Sequence, residues 1–257
     1  MKHYFFLSPF LPPLKLGEKP PQSFQEIRET VKQNLTGDDY QQVETLLRFV
    51  DISNIRALLI EEPIDKRGNL TDKELDEALL MKSRLPDYVF DFLDPFESPA
   101  EKVRNFHGVL SLFFAHEIAK SSHFLKRYLQ FERDFRLVLT ALRAKRLKRD
   151  LAKELQFEDL TDPFVLQILA QKDADQYDPP SEYLGLRELI ASCEGDPWKE
   201  RRAFDRYRFE AIEEMIEGEP FSLGRILAYL AQLSIIEAQL ELDQGQGKMI
   251  LDTFKTN

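Results

Sequence analysis

Three histidines and a glutamate are the residues of this sequence that come closest to metal chemistry. His123 follows His116 by seven positions, which returns to the same face of an uninterrupted helix; Glu117 is adjacent, and His107 lies nine positions before His116. Imidazoles and a carboxylate converging on one face would suit zinc or iron. The spacing is nevertheless not H-E-x-x-H, and Ser121-Ser122 separates His116 from His123. Ordinary polar positions on a pair of helices account for these residues better, and stoichiometric metal in the purified protein is the observation that would reverse that ranking.

Nucleophiles and phosphate cradles are weaker still. The one cysteine, Cys193, has Glu188, Glu194 and Asp196 around it and no histidine nearby, so its thiol is held protonated rather than activated; a buried or spectator role is expected. A single thiol forms no internal disulfide, which favours a reducing compartment. G-x-S-x-G, G-x-G-x-x-G and G-x-x-x-x-G-K-[ST] are all missing, and ten glycines in 257 residues are few for a nucleotide-binding fold. Glu61-Glu62, Asp72 to Glu77 and Glu213-Glu214 read as solvated faces. Neither catalysis nor a cofactor is expected.

The strongest asymmetry is electrostatic. The chain carries a net charge of −10, yet Lys126 to Lys153 holds ten Lys or Arg against Glu132, Asp134 and Asp150. Five of these cations, Arg143, Lys145, Arg146, Lys148 and Arg149, fall within seven residues. At the end of a helix they complement the partial negative charge of unpaired carbonyls, and that alone is one explanation. Docking onto an acidic protein surface or anionic lipid head groups is the other. Nucleic acid fits less well, since exposed aromatics are not interleaved.

Positioning such a segment falls to helices. With 43% hydrophobic and 31% charged residues the chain can bury a core and is not globally disordered. Capping boxes at Ser23–Glu26, Thr71–Glu74 and Ser98–Glu101 predict three helix starts; the first runs to about Leu35 and the last to about Ile118. Apolar residues from Val43 to Leu59 recur at helical spacing. From Phe124 the pattern predicts a helix or bent pair to about residue 155. Asp162-Pro163, Ser181, Asp196-Pro197 and Ser222 mark further starts, and Gly245-Gln-Gly247 predicts a hinge after Leu242, before a docking tail. The Pro-rich start, YFFLSPFLPPL, predicts an extended, packed segment rather than a leader. The class is all-α, with nine or ten helices in multi-helix units over residues 1–160 and 161–257, or a single body. No stretch is long and apolar enough to span a bilayer.

Three stretches place polar residues on apolar helices in a comparable way: DISNIRALL from Asp51, FERDFRLVLTALRAKRL from Phe131, and AYLAQLSIIEAQL from Ala228. Together they resemble the family of C-type subunits of bacterial and archaeal V/A-type ATPases, whose eukaryotic relative is the d-type subunit. With YFFLSPFLPPL and the ending ELDQGQGKMILD, they look more closely like a shorter uncharacterised family associated with bacterial V-type ATPases. That resemblance implies a non-catalytic socket, a funnel of two to three related helical units that couples the central stalk to the membrane rotor ring. It implies central-stalk subunits and the rotor ring as partners, no nucleic acid, and a cytoplasmic, peripheral place at the inner face of the cell membrane. The helices of Asn54 and Arg56, of Arg136 and Arg143, and of Tyr229 to Glu237 would line or brace the cavity. The chain departs from the C-type subunits in being shorter. A helical adaptor in another assembly is the alternative reading, and a helical metal-dependent enzyme the third.

Overall fold

Twelve α-helices and two short 3-10 turns, with no strand, make up the computed structural model among the described residues, 4–216, 218 and 220–255, whose side chains are described as far as Asp243. In chain order the helices are α1 (Phe24–Asn34), α2 (Gly37–Leu59), α3 (Asp72–Met81), α4 (Asp87–Leu93), α5 (Pro99–Asn105) and α6 (His107–Lys120). They continue as α7 (His123–Arg146), α8 (Leu151–Glu154), α9 (Pro163–Leu169), α10 (Gly185–Ser192), α11 (Pro197–Met215) and α12 (Leu223–Lys255). The fold is all-α, as the periodicity predicts. No helix among the described residues is long and apolar enough to cross a membrane.

All three capping boxes form. Ser23, Thr71 and Ser98 accept the backbone N–H of Glu26, Glu74 and Glu101, whose carboxylates reach back to the cap backbone, so α1, α3 and α5 begin with orphan donors satisfied. Asp162 and Asp196 cap α9 and α11 just before Pro163 and Pro197.

Elsewhere the helices differ from expectation. The helix from Ser98 is interrupted at Phe106 and resumes as α6. Gly108 explains the tight packing here: a Cβ on it would stand 2.2 Å from Cζ of Phe92 and 3.0 Å from Cγ of Phe157, so only glycine lets α6 approach these rings. The long basic helix breaks after Arg146 and the short α8 carries the pattern on to Glu154, the bent pair expected to about residue 155, while Ser181 opens a 3-10 turn before α10. At the other end, α12 passes through Gly245 and Gly247 without a hinge, because a glycine costs only about 1 kcal/mol inside an established helix. The expected docking of side chains 248–254 lies outside the described residues.

Two compact units result, each discontinuous in sequence. One comprises residues 1–46, 123–125 and 196–257. Here α1 and α11 pack on α12; Phe24, Ile27 and Val31 are buried, as are Ile212 and the Ile226 to Leu230 run. The other comprises residues 47–122 and 126–195, with α4 against α6 and a core that includes Phe113, Phe114, Leu129, Leu137 and Val138.

Candidate functional site

The cationic end of α7 is built by the helix terminus itself. Leu147 N–H donates to Arg143 O at 2.9 Å, Lys148 N–H to Lys145 O at 3.1 Å and Arg149 N–H to Ala144 O at 2.8 Å. The last two bonds make a Schellman closure, and Lys148 holds its left-handed position at φ 53°, where glycine is the usual residue. Asp150 then caps α8 by accepting from Ala152 N–H. Reversing the chain in this way leaves Arg143, Arg146, Lys148 and Arg149 exposed around Leu147, itself 54% exposed. Arg149 has a loose partner in Glu154 at 3.6 Å. Lys145 is different: its ammonium donates to the carbonyls of Lys172 and Ala174 at 2.5 and 2.6 Å and pins the turn after α9.

The other residues singled out by their polarity on apolar helices divide between internal and external roles. Asn54 is buried and clamps Asp65, donating to its carbonyl and accepting its N–H, both at 2.8 Å. One turn earlier Asp51 accepts from Asn69 Nδ2 and Leu70 N–H, so α2 holds the 65–70 loop by two side chains. Gly68 lies so close that a Cβ would approach Asp51 Oδ1 to 2.4 Å. Arg136 pairs with Glu158, which also accepts from Ser111 Oγ, and its guanidinium lies 5.6 Å over the Phe114 ring. Glu237 accepts the N–H of Phe24 at 2.7 Å, joining α12 to the start of α1. Tyr229 is buried, its hydroxyl lacks a hydrogen-bond partner among the described residues, and burial pushes its pKa up to about 12. Arg56 is exposed on α2.

The histidines and Glu117 take separate positions. Glu117 is buried and accepts from Arg48 Nη1 at 3.1 Å and Tyr88 OH at 3.4 Å. His116 is exposed and stacks on Tyr88, centroids 4.7 Å apart. His107 packs against Phe157; burial, aided by the Arg136 charge, holds its pKa below the usual imidazole range. His123 is exposed at the start of α7. Among the described residues no three His, Cys, Asp or Glu side chains gather as a metal would require. Cys193 is buried and donates to Leu189 O.

Sequence reasoning missed the exposure of the N-terminal aromatics. The segment is not wholly packed: Leu7 is buried, but Phe6 and Phe10 are 87% and 76% exposed, the first in a turn and the second in the 3-10 helix Ser8–Phe10, which buries none of its residues. Ser8 and Pro9 form one wall of a cleft of about 440 Å³ whose other walls include Ile216, Pro220, Phe221 and Arg225. The signal was present as a run of aromatics broken by prolines, a composition that suits a knob as well as a core.

Three curated proteins are similar over most of their length, and each is described as an uncharacterized protein. The relative from Chlamydia muridarum is 28% identical, with 96% of either chain covered. That from Chlamydia trachomatis is 30% identical over 90% of this chain and 89% of its own, and that from Chlamydia pneumoniae 29% over the same shares. No solved structure matches. None of these similarities points to the C-type subunits of V/A-type ATPases, so the resemblance read from the helical patterns is corrected, and the funnel rested on it alone. The family match covers residues 1–257, and the chain belongs to the family described as Protein of unknown function (DUF2764).

Proposed function

We propose that this protein is a non-catalytic helical adaptor that docks an acidic protein surface on the end of α7. The observation that supports this reading is the outward cluster of Arg143, Arg146, Lys148 and Arg149 on a chain of net charge −10. A local field opposite to that of the whole molecule attracts acidic partners and repels basic ones. Buried polar groups such as Asp51, Asn54 and Glu117 are used to fix loops and helices. Cytoplasmic residence, at the inner face of the cell membrane through partners, belongs to the same proposal, as does the narrower assembly expected from sequence, the stalk and rotor ring of a bacterial V-type ATPase.

Affinity capture of the full chain from gently solubilised membranes and from the soluble fraction of its source identifies the partner; stalk or rotor proteins would name the assembly. The captured chain is then titrated by calorimetry. Binding should weaken with added salt and fall at least about tenfold in Arg146→Glu/Lys148→Glu. Lys145 is kept, since it holds the turn after α9. Unchanged affinity in the double variant would overturn the reading.

A further inference from the structure

We infer that the acidic partner proposed for the end of α7 presents an amphipathic segment, apolar side chains set among carboxylates, and that Leu147 is the apolar contact it covers. The inference rests on the acidic-partner reading and names what that partner carries besides negative charge. Two adjacent side chains support it, because neither is what the helix end itself calls for. Leu147, the C-cap of α7, is 54% exposed, although the closure is made by backbone bonds within residues 143–149. The apolar contact that commonly seals such a closure joins the second residue after the cap to the third-last of the helix. Here those are Arg149 and Ala144, so the Leu147 side chain has no part in it. Lys148 then stands in the left-handed region at φ 53°, where a glycine would be unstrained.

Charge fixes the rest of the partner's chemistry. Exposed Arg143 and Arg146 precede Leu147, and exposed Lys148 and Arg149 follow it. Carboxylates are present too: Asp150 and Glu154, and Asp173 and Asp175 in the turn whose carbonyls Lys145 holds. Asp150 is engaged as the cap of α8, and Glu154 lies 3.6 Å from Arg149. Over residues 143–154 and 172–175, seven Lys or Arg still outnumber four Asp or Glu, so the local field favours an acid. Exposed ion pairs alone contribute little and discriminate poorly among polyanions. A purely acidic segment would leave Leu147 in water, and a purely apolar one would desolvate cations without pairing them. A segment with both covers the leucine, excludes water and strengthens the attractions beside it.

Calorimetry of the full chain with two synthetic probes tests it: a short peptide of repeated glutamate-glutamate-leucine triplets, and an oligoglutamate with the same number of carboxylates. The wild type should bind the triplet peptide about tenfold more tightly, the gain expected from covering the exposed half of a leucine. Leu147→Ser should lose that preference and keep its affinity for oligoglutamate, whereas Leu147→Met should retain the preference, both with an unchanged helical spectrum. Arg146→Glu/Lys148→Glu should lose both probes. Equal affinity of the wild type for the two probes, or a preference that survives Leu147→Ser, overturns this inference and leaves the acidic-partner reading standing. A wild type that binds neither probe overturns both, and its flotation with phosphatidylserine vesicles would then assign Leu147 and its cations to a lipid surface.

Discussion

Replacing Asp134 by asparagine should stabilise the protein at neutral pH and leave it unchanged in acid. The Asp134 side chain, on α7, is only 13% exposed. Burial raises its pKa from 3.8 to about 6; the Asp162 carboxylate adds to this, while Gln130 hydrogen bonds at 3.2 and 3.3 Å and Arg133 Nη1 at 3.4 Å oppose it. Arg133 is shared, since its Nη2 lies 2.8 Å from Asp162 Oδ2. The folded chain thus binds this proton more tightly than the unfolded one. Stability from this group is present below about pH 4 and is lost as pH rises to about 6. At about 1.36 kcal/mol per pKa unit the loss at neutral pH reaches up to about 3 kcal/mol. Asparagine removes the charge and keeps an acceptor for Gln130. Urea unfolding followed by circular dichroism should give equal stabilities for the two proteins at pH 4, and an Asp134→Asn advantage of up to about 3 kcal/mol at pH 7.5. An equal difference at both pH values, or a less stable variant at pH 7.5, would refute the reasoning and show that the Arg133 attraction outweighs burial.

Two further substitutions test local geometry. Lys148→Gly relieves a left-handed lysine and should raise stability by about 0.5–1 kcal/mol in urea titrations, while weakening acidic-partner binding, so that the two measurements move in opposite directions. Gly108→Ala forces a methyl into the Phe92 ring and should lower stability by about 1–3 kcal/mol, seen as a lower unfolding midpoint with an unchanged slope.

The helix starts were legible because a capping box is local: Ser98, Pro99 and Glu101 contain the whole instruction within four residues. The interruption at Phe106 was not, since its surroundings include Phe92 and Phe157, distant in sequence. Asn54 and Glu237 show the same limit in the candidate site. A polar residue on an apolar helix suits the lining of a cavity and an internal anchor equally, and what distinguishes them is a backbone group 11 residues away for Asn54 and 213 away for Glu237. The cations at the end of α7 were legible as a group because charge survives any fold, but the withdrawal of Lys145 depended on the carbonyls after α9. The extended, packed start expected of YFFLSPFLPPL holds for Leu7 but not for Phe6 and Phe10, which a turn and a 3-10 helix leave exposed.

The bond from Phe24 to Glu237 also has a temporal side. A ribosome making about 5–20 residues per second needs roughly 10 to 40 s to add the 213 residues between them. During that interval α1 has its capping box but neither the α12 carboxylate nor the α12 surface that it packs against. Residues 47–122 and 126–195, nearly continuous in sequence, emerge complete before α11 and α12 exist. The order of synthesis therefore lets the middle of the chain mature while its beginning waits for its end, and places Phe24, Ile27 and Val31 among the apolar side chains that a nascent-chain chaperone would meet first.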